Sequence, residues 1–236
     1  MFAEAWTKLP IRLSPRFSAE KAHAMQLQLS KLVIRRDVLP ETIHYVAGVD
    51  VAYTKRISIG AVAVLDFASL SLIESQVAHV KTRFPYIPTL LSFREIPPAL
   101  SAIRKLQVHP DVFLVDAHGI MHPYQLGFAA HLGLVTDKPT IGVAKSPLCG
   151  KVESATDQGW IPIMDKGKII GAKLFTKAGE EPVYVSIGHK VSLQRAINIV
   201  TRCTCFHRIP EPTWKAHTIA NEEKRKAGHF GPKRRS

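Results

Sequence analysis

The sequence predicts a mixed α/β fold whose sheet combines antiparallel and parallel strands. After a first helix come three apolar segments separated by short turns, which is typical of an antiparallel meander. A later order of strand, helix and strand indicates parallel pairing. The chain has 236 residues, 46% of them hydrophobic, and no internal repeat or low-complexity linker. We therefore expect one domain over residues 1–228, followed by a basic, flexible tail over residues 229–236.

Helix signals stand at the start, in the middle and at the end of the chain. Residues 18–36 are predicted to be helical, because Ser18 can cap the helix, Glu20 complements its dipole and basic residues close it. A second helix is predicted to open at Glu95 and to run to about residue 107, with two prolines near its start. The other predicted helices cover residues 126–136, 192–201 and 213–226.

Strand signals occupy the segments between these helices. The predicted meander covers residues 45–51, 59–66 and 70–80. Strands at 112–115 and 140–144 flank the middle helix, and residues 169–175 and 182–185 are predicted to form a hairpin. This order is that of a ribonuclease H-like fold, with a central mixed sheet flanked by helices. In that architecture strand one lies beside strand four, so that Asp50 and Asp116 would be neighbours.

Acidic residues in apolar strands predict a metal site. Asp50 lies inside an apolar strand, where a paired lysine or a cap would explain it as well as a metal would. Asp116 follows the strand at 112–115, at the end where open α/β sheets bind ligands, although an aspartate there also begins turns. Glu95 has its own alternative as a first-turn helix acid. Together these oxygens suit Mg²⁺ and the phosphoryl transfer that it supports.

Basic and histidine side chains could complete such a site. Lys145 follows the strand at 140–144, where it is either solvated or able to steady a phosphate or an attacking hydroxide. His122, His189 and His217 are each explained equally well as hydrogen-bonded structural histidines.

The charge balance favours a polyanionic partner, of which nucleic acid is the commonest. Lys and Arg total 32 against 19 Asp and Glu, a formal net charge of +13. Six of these charges lie in residues 224–226 and 233–235, and removing them from the thirteen still leaves about +7. The segment Phe84-Pro85-Tyr86-Ile87-Pro88 braces an aromatic side chain between prolines. It is either a structural turn or a rigid wedge that enters a base stack.

Composition also bears on the compartment. The three cysteines, Cys149, Cys203 and Cys205, predict neither a disulfide framework nor the usual zinc spacing. No apolar run approaches the ~18–20 residues that span a bilayer, and the first residues do not resemble a signal peptide. We expect a cytoplasmic protein without membrane contact.

Motifs in a fixed order resemble the endonuclease V family over residues 15 to 225. The motifs are Val46-Ala47-Gly48-Val49-Asp50, Phe84-Pro85-Tyr86-Ile87-Pro88, Leu90-Leu91-Ser92-Phe93-Arg94-Glu95, Val115-Asp116 with Gly119 and His122-Pro123, Ile141-Gly142-Val143-Ala144-Lys145-Ser146, Gly188-His189, Arg208-Ile209-Pro210-Glu211-Pro212-Thr213 and Ala216-His217. The resemblance implies an endonuclease that uses Mg²⁺ or Mn²⁺. It implies cleavage at the second phosphodiester bond 3′ to deoxyinosine in DNA, or to inosine in RNA, leaving 3′-hydroxyl and 5′-phosphate ends. We expect it to act as a monomer.

The same resemblance implies roles for individual residues. Asp50, Glu95 and Asp116 would hold the metal with His217, and Lys145 and His122 would support the active site. Tyr86, between Pro85 and Ile87, would belong to a wedge that exposes the altered base. Four positions would line the base pocket: Leu91, Gly119, Gly127 and Leu148. Because the lesion pairs weakly, flipping it costs less than flipping a normal base.

The chain departs from the family pattern at two positions. Ala117 replaces the usual glycine after the strand-four aspartate and would narrow the pocket, and His118 would add a hydrogen bond or a charge near the base. Two other functions stay open. Asp116-Ala117-His118 matches the opening motif of metallophosphoesterases, although no Gly-Asn-His follows. A non-catalytic nucleic-acid-binding protein would also be basic, but buried acids would not help it to bind phosphate.

Overall fold

The computed structural model describes residues 18–154 and 159–229. The strands within these residues are β1 (Tyr45–Tyr53), β2 (Ile57–Asp66), β3 (Leu72–Lys81), β4 (Val112–Val115), β5 (Thr140–Ala144), β6 (Lys151–Val152), β7 (Ile161–Asp165), β8 (Lys168–Leu174) and β9 (Val183–His189). The helices are α1 (Ala19–Ser30), α2 (Leu91–Ile103), α3 (Phe128–Thr136), α4 (Leu193–Arg202) and α5 (Glu211–His229).

The described strands form one mixed sheet in the order β3-β2-β1-β4-β5-β9-β8-β7-β6. β1 pairs antiparallel with β2 and parallel with β4, and β4 pairs parallel with β5. The predicted ribonuclease H-like arrangement, with strand one beside strand four, is therefore confirmed. The pairing directions make β1, β3, β4, β5, β6 and β8 run the same way. Their C-terminal ends meet at one side of the sheet, which we call the carboxyl edge.

Successive side chains of β1 point to opposite faces of the sheet, and the two faces have different neighbours. Ala47, Val49 and Val51 pack into the cluster that also contains α2 and α3. The intervening positions face α5, where Ala52 packs against Ala220. Asp50 is therefore on the face of the sheet that α5 covers.

Two helices differ from their predicted bounds by four residues or more, and the other three by one to three residues. α1 ends at Ser30 instead of residue 36, because the following backbone bonds elsewhere: the Ile34 N–H donates to His189 Nδ1 at 3.2 Å. α2 begins at Leu91, after a fully buried Leu90, and not at Glu95. Glu95 is consequently one turn inside the helix, so the interpretation of it as a first-turn acid was wrong. Pro97 and Pro98 also lie inside the helix, each removing one backbone donor.

The C-terminal half of the sheet extends beyond the prediction. β6 and β7 were not predicted: β6 has two residues, and β7 contains Pro162, which is unusual in a strand. β9 continues to His189, four residues past its predicted end. The predicted tail lies outside the described residues from 230 onward, and the division into one domain and a tail stays a prediction. Among the described helices, none is long and apolar enough to cross a membrane.

Candidate active site

The pairing of β1 with β4 brings two carboxylates together at the carboxyl edge. The Asp116 N–H donates to the Val49 carbonyl at 3.0 Å, which fixes the end of β4 beside Asp50. The Asp50 carboxylate accepts from the Val51 N–H at 2.7 Å through Oδ1, which leaves Oδ2 for other partners. Both acids are mostly enclosed, with about 14% of each side chain exposed. The predicted proximity of these two residues is confirmed.

His217 completes a three-residue cluster with the two acids. Its Nδ1 lies 2.8 Å from Asp50 Oδ2 and 3.6 Å from Asp116 Oδ2. The amide of Asn221, one turn later on α5, donates to His217 Nε2 at 3.1 Å. With the Asn221 amide donating to Nε2, Nδ1 carries the ring proton in the metal-free protein and donates to Asp50. This proton has to leave Nδ1 before that nitrogen can bind a metal ion. The sequence motifs had linked His217 to the site, but nothing had indicated Asn221.

Gly48 allows α5 to approach the sheet at this point. A Cβ atom on Gly48 would lie 1.8 Å from the Pro212 carbonyl oxygen and 2.6 Å from the Thr213 nitrogen, so that only glycine fits. Two residues farther along the same face of β1 is Asp50, and five residues farther along the chain from Pro212 is His217. The glycine therefore sets the distance at which His217 meets Asp50.

Lys145 joins the cluster from the end of β5. Its Nζ donates to Asp116 Oδ2 at 2.9 Å, and its role in supporting the active site stays a prediction. Burial and the neighbouring Asp50 nevertheless raise the pKa of Asp116, while Lys145 and His217 act in the opposite direction. Negative charge at this point is thus only partly neutralised by the protein.

Glu95 lies near the two aspartates but outside their cluster. The ligand atoms of Asp50, Asp116 and His217 lie within 4.8 Å of one another, and Glu95 is not part of this group among the described residues. Burial raises the pKa of Glu95 to about 8, and the charges of Asp50 and Asp116 contribute in the same direction. The structure thus brings Glu95 into electrostatic range of the acids, and its role as a metal ligand stays a prediction.

Two residues beside Glu95 had not been predicted. The Arg94 guanidinium lies 4.2 Å from the centre of the Tyr53 ring, a cation–π contact that holds the start of α2 against the end of β1. Within the described residues, Arg94 Nε and the Tyr53 hydroxyl are buried without a hydrogen-bond partner. Arg94 lowers the pKa of Glu95, opposing the two aspartates. The alternation of apolar residues in β1 gave no signal that Tyr53 would have this partner.

His122 has surroundings different from those of the carboxylate cluster. It is buried, its Nδ1 accepts from the Tyr124 N–H at 3.2 Å, and burial lowers its pKa to about 4. Near it, the His23 ring stacks on Tyr124 and contacts the Thr89 hydroxyl at 2.9 Å. No hydrogen bond joins His122 to either aspartate in the described part of the chain. Its predicted support of catalysis therefore stays a prediction.

The loop after β3 combines the two readings that its sequence left open. Phe84 turns inward and stacks on Phe93 at 5.8 Å, as a structural turn would. Tyr86 points outward with 69% of its surface exposed, Pro85 is exposed, and Ile87 is half-buried. The Phe84 ring thus anchors the loop, and the Tyr86 ring is exposed to solvent.

The predicted pocket glycines have a packing role in this structure. A Cβ on Gly119 would lie 1.9 Å from the Ile187 carbonyl oxygen, and one on Gly127 would lie 2.3 Å from the His118 oxygen. The Gly119 N–H donates to Ser186 Oγ at 2.9 Å, and its carbonyl accepts from the Gly127 N–H at 2.9 Å. These backbone groups of Gly119 are therefore already bonded within the protein.

The other predicted pocket positions differ in exposure. Leu91 is half-buried at the first turn of α2, and Leu148 is 45% exposed after β5. His118 Nε2 lies 2.8 Å from the Ser146 carbonyl oxygen, and this contact joins the loop after β4 to the loop after β5. Ala117 packs against the apolar cluster of β1 and α2. Base reading by these positions stays a prediction.

The carboxylate cluster suits a divalent cation. Asp50 and Asp116 offer hard oxygen ligands, and His217 offers a nitrogen, at mutual distances that one ion can bridge. Burial, and after it the charges of the neighbouring acids, raises the pKa values of Glu95 and Asp116, and a bound cation would favour their ionised forms. A ribonuclease H-like sheet that carries such a cluster at its carboxyl edge defines a class of protein, the nucleic-acid hydrolases of this fold.

Comparison with known proteins specifies the family. The family model for Endonuclease V matches residues 27–218. The chain is 49% identical to Endonuclease V of Nostoc sp. over 208 residues, which are 86% of this chain and 94% of that protein. It is 44% identical to Endonuclease V of Thermofilum pendens over 210 residues, with 89% and 90% covered.

Solved structures agree with these sequence matches. The crystal structure of Endonuclease V from Streptomyces avermitilis superposes with a TM-score of 0.85 at 36% identity, covering 92% of this chain and 98% of that one. Endonuclease V from Ciona intestinalis, solved with a 24mer DNA containing an inosine followed by a ribo-adenosine, superposes with a TM-score of 0.79 at 29% identity, covering 88% and 98%. The chain belongs to the Endonuclease V family, and the resemblance in its motifs is confirmed.

Proposed function

We propose that this protein is a divalent-metal-dependent endonuclease that nicks nucleic acid at the second phosphodiester bond 3′ to deoxyinosine, or to inosine in RNA. The products would carry 3′-hydroxyl and 5′-phosphate ends. The observation that carries the proposal is the cluster of Asp50, Asp116 and His217 in a member of this family. The biological role of the protein would be the repair of deaminated adenine.

Asp50, Asp116 and His217 would hold Mg²⁺, for which Mn²⁺ would substitute, and Glu95 would join them. When bound, the cation supplies positive charge that stabilises the attacking and leaving oxygens of the phosphodiester. Asn221 would fix the orientation of the His217 ring through Nε2, so that Nδ1, once it has lost its proton, could bind the metal beside Asp50. Lys145, which is 2.9 Å from Asp116, would keep that carboxylate in place and would add positive charge for a phosphate bound at this site.

The loop after β3, which carries the exposed Tyr86, would expose the damaged base. The Tyr86 ring is exposed, while Phe84 anchors the loop on α2, an arrangement that suits insertion into a base stack. Inosine as the recognised base is supported by the family relative from Ciona intestinalis, whose structure contains DNA with an inosine. Leu91, Gly119, Gly127 and Leu148 would surround the base. His122 would support this side of the site.

Nicking assays on end-labelled strands test the proposal directly. We expect cleavage of an inosine-containing strand at the second bond 3′ to the inosine with Mg²⁺ or Mn²⁺, and none of the matched adenine strand or with EDTA. No nicking with either metal would reject the enzyme and favour a non-catalytic binder. Parallel DNA and RNA strands, single and double, would identify the working substrate.

The metallophosphoesterase alternative has less support. His118 bonds to the Ser146 carbonyl, while the histidine that meets Asp116 is His217, which comes from a different element. A monomeric state and a cytoplasmic location belong to this proposal as well. Three free cysteines, of which Cys205 is exposed, suit a reducing compartment.

A further inference from the structure

Four exposed basic side chains gather at the carboxyl edge beyond the carboxylate cluster. We call Lys55, Arg56, Lys81 and Arg83 the basic quartet; all four are exposed. No acidic side chain pairs with any of them among the described residues. In other parts of the described chain, Lys145, Lys177, Lys190 and Lys226 each form an ion pair. The quartet is therefore a concentration of positive charge that the protein itself leaves unneutralised.

Hydrogen bonds bring the two halves of the quartet together. Thr54 closes the β1–β2 turn, since its Oγ1 accepts from the Ile57 N–H at 3.0 Å. The Thr82 N–H donates to the Arg56 carbonyl at 2.9 Å, and the Ser58 and Thr82 hydroxyls lie 2.8 Å apart. The turn that carries Lys55 and Arg56 is thus joined to the strand end that carries Lys81 and Arg83. Like charges held this close repel one another, and a polyanion bound across them would relieve that repulsion.

The quartet lies close to both the metal site and the exposed tyrosine. Lys55 follows Asp50 by five residues, a span of at most about 17 Å in extended chain. Tyr86 follows Arg83 by three residues in the same loop. One helical turn of B-DNA is about 34 Å long, so a single duplex can reach the quartet, the wedge and the metal site together.

We propose that the basic quartet is a phosphate-binding surface that holds the duplex flanking the damaged base, on the β2–β3 side of the metal site. This inference rests on the proposed function. A duplex offers one negative charge per ~1.7 Å of its axis, twice the linear charge density of one of its strands, and suits four cations on two adjacent turns. A wedge beside them acts only where a base stack exists to be opened.

Neutralisation of the quartet tests the inference. The variant Lys55→Gln/Arg56→Gln/Lys81→Gln/Arg83→Gln is compared with Lys31→Gln/Lys151→Gln/Lys166→Gln/Lys168→Gln, which removes the same total charge. The control residues are exposed. Three of them, Lys151, Lys166 and Lys168, lie at the opposite edge of the sheet, where β8 begins. Thermal unfolding of both variants establishes that each is folded.

The readouts are duplex binding as a function of salt, and KM and kcat for inosine-containing duplex and single strand. If each side chain neutralises one phosphate, the slope of log K against log salt should fall in magnitude by about 3.6 in the quartet variant. We expect KM for the duplex to rise at least ~10-fold. We expect kcat to stay unchanged, the single strand to be affected less, and the control to behave like the parent.

Contradictory outcomes are distinct from failure of the proposed function. If the parent nicks inosine strands but the quartet and control variants have equal salt slopes, the quartet does not bind phosphate and the inference is wrong. Equal losses on duplex and single strand would also overturn it, because the surface would then bind a single strand. A parent protein that nicks no inosine strand would instead reject the proposed function.

Discussion

Gly48→Ala should displace His217 without touching it. The new Cβ would lie 1.8 Å from the Pro212 carbonyl oxygen, whereas ordinary contacts begin at 3.4 Å, so α5 must move by about 1.6 Å. If the helix moves as a rigid body, the 2.8 Å contact of His217 Nδ1 with Asp50 lengthens beyond hydrogen-bond range. A misplacement of about 1 Å can cost 100-fold in rate, and overpacking destabilises a fold by about 1–3 kcal/mol.

The assay for this prediction is nicking of an inosine-containing strand at saturating Mg²⁺, together with urea unfolding. Ile199→Val, on the buried side of α4, is a suitable control because it should cost about 0.5–1.5 kcal/mol without moving α5. We expect the control to keep its rate and Gly48→Ala to lose about 100-fold. A Gly48→Ala protein with the parent's rate would refute the reasoning that this glycine sets the position of His217.

Three further predictions concern the site, the wedge and the core. Asp116→Asn should reduce nicking at least ~100-fold while inosine-strand binding by gel shift stays close to that of the parent; unimpaired nicking would show that Asp116 does not hold the metal. Tyr86→Ala should slow duplex cleavage more than single-strand cleavage, and equal losses in the two kinetic assays would count against a wedge. Burial lowers the pKa of His131 to about 4, so the unfolded chain binds a proton below pH 6.5 that the folded protein binds only near pH 4. His131 should therefore lower the free energy of unfolding by about 2 kcal/mol between pH 7 and pH 5. Urea denaturation of His131→Gln at the two pH values should show a correspondingly smaller decrease. An equal decrease in the variant and the parent would exclude His131 as the cause.

The sheet could be predicted from the sequence where local pattern and topology agree. The strand at Val112–Val115 is apolar and bounded by polar residues, and its ends were predicted correctly. The neighbouring positions of Asp50 and Asp116 followed from the order of the elements. Local pattern failed at α2, where a buried Leu90 and the contact between Ser92 and His131 extend the helix four residues toward its N-terminus.

Within the site, local sequence patterns did not predict the side chains that act through tertiary contacts. Asn221 follows His217 by four residues on α5, a spacing that could have been noticed once His217 was assigned. The Tyr53–Arg94 contact joins β1 to α2, and no sequence spacing encodes it. Gly119 was expected to line a base pocket, yet its close approach to the Ile187 carbonyl accounts for the glycine. Such contacts depend on how the elements pack and not on any one segment.

Calorimetric titration of Mn²⁺ into the parent protein and into Asp50→Asn tests the central claim most directly. The claim is that Asp50, Asp116 and His217 form the metal site, because their ligand atoms lie within 4.8 Å of one another. Removing one carboxylate charge should weaken Mn²⁺ binding at least ~10-fold, since hard cations depend on charged oxygen ligands. Mn²⁺ affinity equal to that of the parent would contradict the assignment and place the metal elsewhere.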